Sequence, residues 1–202
     1  MARDPSAYRI DGRRVPSVTE VLKMGGWIDF SGVDPAVLSR AAARGTFVHE
    51  ASELIDEDDL DWSTVPREWE GYVRAYADFR QASDLEIVAS EEIVRNEAYR
   101  YCGQLDRRGT LRGRPCILDI KTSYQPSDTW GIQIAGYAAT FKGVSHDRYA
   151  LWLRRDGTYR LIPYTHQDDE RLFLSTAVVV NGLIDRGLVT PEWKKGSEDG
   201  EA

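Results

Sequence analysis

Asp119 and Lys121 flank Ile120 and follow the apolar run Cys116-Ile117-Leu118, a spacing that suits chemistry on a phosphate. Side chains alternate along a strand, so the carboxylate and the ammonium project from one face. Asp106 supplies a partner. The stretch from Tyr101 to Thr122 reads as two apolar-alternating runs about Arg112-Gly113, the usual punctuation of a two-residue hairpin loop. With the turn centred there, facing residues have numbers summing to 225, which sets Asp106 opposite Asp119 and Gln104 opposite Lys121. Directly paired residues hold their Cβ atoms roughly 4.5–5.5 Å apart. Two carboxylates that close repel each other unless a cation lies between them. Leu105, Leu118 and Ile120 turn to the opposite, apolar face. Asp-x-Lys alone is a common surface ion pair; the facing Asp106 and the apolar run before Asp119 set this one apart.

Phosphodiester cleavage needs a cation that neutralises developing charge and lowers the pKa of the attacking water. Oxygen ligands favour Mg2+ or Mn2+ over zinc. Asp106 and Asp119 are the expected carboxylate ligands, with the main-chain carbonyl of Ile120 as a further one. Lys121 is placed to orient or deprotonate the water and to stabilise the transition state. His49 and Glu53 lie four residues apart on one helical face, and Ala42 and Gly45 would let that helix approach a sheet closely. An imidazole can ligate Mn2+; the alternative for His49 is an ordinary hydrogen-bonded helix histidine. Gln133 and Tyr137 form another pair of that spacing, with Trp130 on nearly the same face. An amide and a phenol can grip a phosphate or orient a ligand without adding charge, although a plain amphipathic helix would look the same. Glu91 and Glu92 are weaker candidates, since only one of them can face the site.

The 202 residues suffice for one domain, and 42% hydrophobic with 29% charged content is ordinary for a soluble globular chain. No apolar run approaches the roughly 18 residues of a membrane span. Met1 to Ser6 lacks the apolar stretch of a secretory signal. Two cysteines, Cys102 and Cys116, are too few for a disulfide framework and read as core residues. A cytoplasmic protein is expected. The net charge of −7 argues against a broad DNA-coating surface. Arg95, Arg100, Arg107, Arg108, Arg112 and Arg114 nevertheless crowd the hairpin, where Arg107 and Arg108 would meet DNA. Asp56, Glu57, Asp58, Asp59 and Asp61 read as a solvated loop.

These residues need elements to position them. A short hairpin about Asp11-Gly12 precedes a capping box, Ser17-Val-Thr-Glu20, that opens a short helix. Asp34-Pro35 caps a helix reaching about Ile55, and a further helix spans about 66–81. Strands are expected over 86–95, 99–111 and 116–122, followed by a helix capped at Ser127 or Asp128. A hairpin over 148–164 turns at Asp156-Gly157, and a last helix covers about 168–185. The predicted fold is α/β, a mixed central sheet flanked by helices. A single domain spans 1–193 with its core at about 34–165, and 194–202 form a polar, disordered tail.

Four motifs in this order, Arg44-Gly-Thr-Phe-Val-His49, Gly103-Gln-Leu-Asp106, Asp119-Ile-Lys121 and Gln133-Ile-Ala-Gly-Tyr137, resemble the PD-(D/E)XK nuclease superfamily, in particular its RecB-like exonuclease branch. Pro16 to Leu22 also looks like the opening of stand-alone phage and mitochondrial genome-maintenance members. The resemblance implies a restriction-endonuclease-like core, a metal held by His49, Asp106 and Asp119, a catalytic Lys121, and Gln133 and Tyr137 in support. Arg44 and Trp130 join the arginines as expected DNA contacts. The cysteines of the iron–sulfur subgroup are missing, so Mg2+ or Mn2+ is expected without an iron–sulfur cluster. The activity implied is a metal-dependent exonuclease on linear single- or double-stranded DNA, serving replication, recombination or repair. A recombination or replication protein is the implied partner; a phage-encoded chain would act in the host cytoplasm. A structure-specific endonuclease and a catalytically silent nucleic-acid-binding module of the same fold are the rivals.

Overall fold

The computed structural model describes residues 5–194. Its centre is a five-stranded sheet. The strands are β3 (Glu86–Asn96), β4 (Tyr101–Leu111), β5 (Arg114–Lys121), β6 (Asp147–Leu153) and β7 (Tyr159–Pro163), in that spatial order. All neighbours are antiparallel except β5 and β6, which run parallel and are joined through helix α4 (Thr129–Ala138). A parallel pair needs such a crossover. The small hairpin of β1 (Arg9–Ile10) and β2 (Arg13–Arg14) forms a separate two-stranded sheet, with Asp11 and Gly12 both at positive φ in its turn. The fold is the mixed α/β architecture expected of a restriction-endonuclease-like core.

Three helices cover one sheet face: α1 (Val18–Met24), α4 and α5 (Asp169–Asp185). Val18, Leu22, Ile134, Tyr137 and Phe173 pack there against Leu105, Ile117 and Ala150. On the other face α2 (Pro35–Asp56) and α3 (Glu70–Ala82) bring Val48, Ala51, Tyr76 and Phe79 onto Leu118, Ile120, Leu151 and Leu153. Ala150 and Leu151 thus serve opposite cores, as the strand period requires. Among the described residues no helix is long and apolar enough to cross a membrane.

Local signals account for most boundaries. Ser17 and Glu20 form the complete capping box of α1, and Asp34 accepts from Ala36 N–H ahead of Pro35 at the start of α2. Arg112 and Gly113 both take positive φ, the backbone of a primed hairpin turn. Pairing runs from Leu111↔Arg114 to Arg107↔Leu118, the register of 225. β5 therefore starts before Pro115 rather than after it; β6 begins pairing only at Cys116, so the missing proline N–H costs no parallel ladder bond. Residues 66–69 form a turn, and α3 starts at Glu70 rather than Pro66. Lys194 ends a short 3-10 helix begun at Glu192, and the rest of the expected tail lies outside the described residues.

Three expectations about packing need correction. Ala42 is exposed and Gly45 faces open space, so neither brings α2 onto the sheet; Val48, Ala51 and Ser52 do. Asp56 is not a solvated loop residue, because it closes α2 and accepts from Tyr76, Arg80 and Arg107. Leu105 packs on the α1–α4 side, away from Leu118 and Ile120. The two cysteines are buried free thiols, as expected. Burial pushes both above the ordinary thiol range, Cys116 to about 11.

Candidate metal centre

Leu105 reveals how the site is made. Tyr101 and Leu105 face α1 and α4, whereas Arg107 and Leu111, also odd-numbered, face α2 and α3. The alternation of β4 reverses at Asp106, the level at which the pairing to β5 stops. Its other neighbour, β3, is irregular at the same level. The pairs Ser90↔Arg107 and Glu92↔Leu105 bracket Glu91 against Asp106, and Glu91 has φ of 47°. A non-glycine residue in that conformation costs about 1–3 kcal/mol and persists only where its surroundings impose it.

The consequence is a fork. The Asp106 carboxylate accepts from Ile120 N–H at 2.6 Å through Oδ2, and its Oδ1 lies 3.4 Å from His49 Nδ1 on α2. Glu91 Oε1 is 3.3 Å from the same nitrogen. Ligand atoms of His49, Glu91 and Asp106 all lie within 4.8 Å of one another. Asp106 is 1% exposed, and the Glu91 side chain 6%. Two buried carboxylates and an imidazole at this separation fit a small hard cation, whose charge would offset their repulsion.

Asp119, expected as a ligand, is outside that group. Its carboxylate is 2.5 Å from Lys121 Nζ on the α4 side of β5. Lys121 also donates to Gln133 Oε1 at 2.8 Å, and Gln133 Nε2 donates to the Tyr137 hydroxyl at 3.2 Å. Thus the fork joins two sets of side chains through Ile120, whose N–H binds Asp106 and whose neighbours are Asp119 and Lys121. Glu91 was legible only as a weaker candidate. Glu92, on the other side of β3, binds Arg108.

Glycine at 103 lets α4 come this close. A Cβ there would stand 2.6 Å from Tyr137 Cε1 and 3.0 Å from Val18 Cγ2. Gly103→Ala should push the Tyr137 ring off β4 and loosen the Gln133–Lys121 bond. The expected outcome is a destabilisation of about 1–3 kcal/mol, read by thermal unfolding, with any turnover at the site reduced as well.

The expected arginine surface is largely neutralised. Arg107 is 1% exposed and bound to Asp56 at 2.7 Å, so it cannot contact DNA. Burial opposes its charge, but Tyr76 and Asp56 outweigh that and hold the guanidinium above its ordinary pKa. Arg108 pairs with Glu92 and stacks on Phe141; Arg100 and Arg114 pair with Asp185 and Asp147. Trp130, at 7% exposure, is a core residue beneath Lys121 rather than a DNA contact. Arg44 is half-buried beside the site, donating to Thr122 Oγ1 at 3.3 Å.

No family model matches the chain, and no curated protein does. Among solved structures, the crystal structure of SSO0001 superposes with a TM-score of 0.51 at 14% identity, covering 87% of this chain and 78% of that one. Likeness at this identity shows a shared fold and leaves function to the site.

Proposed function

We propose that this chain is a metal-dependent DNA exonuclease, a RecB-like member of the PD-(D/E)XK superfamily. One observation carries the reading: the break in the β3–β4–β5 pleat gathers His49, Glu91 and Asp106, and the Asp106–Ile120 N–H bond ties them to the strand end that carries Asp119 and Lys121. His49, Glu91 and Asp106 would hold Mg2+ or Mn2+. A bound cation of this kind neutralises charge on the phosphate and acidifies the attacking water. Lys121 supplies a fixed positive charge for the transition state, oriented by Asp119 and Gln133 so that little reorganisation is needed when charge develops. Tyr137 fixes the amide of Gln133, and Trp130 closes the lysine from the core side. Arg44, five residues before His49 on α2 and against Thr122, is the arginine placed to meet a phosphate. DNA is the substrate, and action in the cytoplasm suits the free thiols.

Linear and covalently closed circular DNA, each with Mg2+, Mn2+ or EDTA, separate the readings. Metal-dependent loss of linear DNA alone is the expected result. Nicking of circles would make the protein an endonuclease. DNA binding with no loss of either form would make it a silent binding module.

A further inference from the structure

We propose that Arg107, anchored by Asp56, is a positioning residue that sets all three ligands of the cation site before a cation arrives. This rests on reading His49, Glu91 and Asp106 as that site. Arg107 reaches each of them by a different route. Nη1 donates to the main-chain oxygen of Asp106 at 2.7 Å and lies 3.5 Å from Glu91 Oε1. Nη2 donates to Ser52 Oγ at 2.8 Å, and that hydroxyl donates to the carbonyl of His49 at 2.7 Å. Nε donates to Asp56 Oδ2, which also accepts from Tyr76 at 2.7 Å, while Arg80 holds the other oxygen at 2.6 Å.

The lengths rank these contacts. Asp56 takes the short, charge-assisted bond; Glu91 is touched at the limit of hydrogen bonding. A guanidinium bonded this way offsets the repulsion among Asp56, Glu91 and Asp106 without consuming the acceptor capacity of Glu91. Glu91 stays available to a cation, at a backbone angle that needs external support. A buried ion pair is weak evidence for stability by itself. The geometry gives it another use, since only a planar fork can serve β4, β3 and α2 together. Lysine, a point donor on a flexible stem, cannot.

The test is an Mn2+ titration followed by electron paramagnetic resonance, on the wild-type chain, Arg107→Lys and Asp56→Asn. Outer partners of metal ligands typically change metal affinity by about 10–100-fold, and a weakening of that size is expected in both variants. Asp56→Asn keeps an acceptor for Nε but leaves Glu91 as the main anionic partner of Arg107, so the cation must compete for it. It carries the test should Arg107→Lys fail to fold. DNA affinity in EDTA should be unchanged, and saturating Mn2+ should restore cleavage in the folded variants. Wild-type affinity for Mn2+ in a folded variant, or a loss of cleavage that saturating Mn2+ does not restore, would overturn the positioning role alone. A wild-type chain that binds no Mn2+ would overturn the cation site, and the positioning role with it.

Discussion

Asp119→Ala should reduce cleavage of linear DNA to background while leaving DNA affinity in EDTA unchanged or higher. Asp119 is 1% exposed and holds Lys121 at 2.5 Å. Removing it releases the ammonium from its carboxylate and leaves it to the neutral Gln133 amide and the Trp130 ring. Loss of one preorganised electrostatic group typically costs about 10²–10³-fold in turnover. The same change deletes a negative charge and frees a positive one near the phosphate path, which favours binding. Measuring rate and affinity at one fixed salt concentration separates the two effects. A binding module would show no metal-dependent turnover in the wild type, hence nothing for Asp119→Ala to remove.

Asp106→Asn should change stability with opposite signs in the absence and presence of metal. In EDTA the substitution removes one of two buried carboxylates that share the fork, while its side-chain oxygen can still accept from Ile120 N–H. The variant is expected to unfold at or above the wild-type temperature. Metal at about 100 times its dissociation constant stabilises the form that binds it by about 2.7 kcal/mol. For a domain of this size that corresponds to a rise of about 5–10 °C in Tm. Wild type should show that rise in Mn2+ and Asp106→Asn should not. Equal rises in both proteins would remove Asp106 from the cation site.

Turn and cap chemistry made the frame legible in the sequence. Arg112-Gly113 fixes the hairpin register because both residues can take the positive φ that the turn demands. The capping box at Ser17–Glu20 and the Asp34–Pro35 pair mark two helix starts for equally local reasons. Lys121, Gln133 and Tyr137 were legible as neighbours of a strand end and a helix. The metal cluster is only half legible, because strict alternation through Asp106 pairs it with Asp119 and leaves Glu91 a weaker candidate. The alternation reverses there, and the left-handed Glu91 that accompanies the reversal is not a glycine, so nothing in the residue type announces it. Arg107 looks like a DNA contact in the sequence for a related reason. Its counter-ion Asp56 is 51 residues away and stands in a run of acidic residues that looks solvated. Composition alone could not separate that one buried carboxylate from its exposed neighbours.

The most direct test of the central claim is nucleotide release from end-labelled linear DNA by the wild-type chain and Asp106→Asn, purified in parallel. In Mg2+ the wild type should release nucleotides continuously, EDTA should stop the release, and Asp106→Asn should match the EDTA baseline. Release that persists in EDTA, or that survives undiminished in Asp106→Asn, would contradict the account.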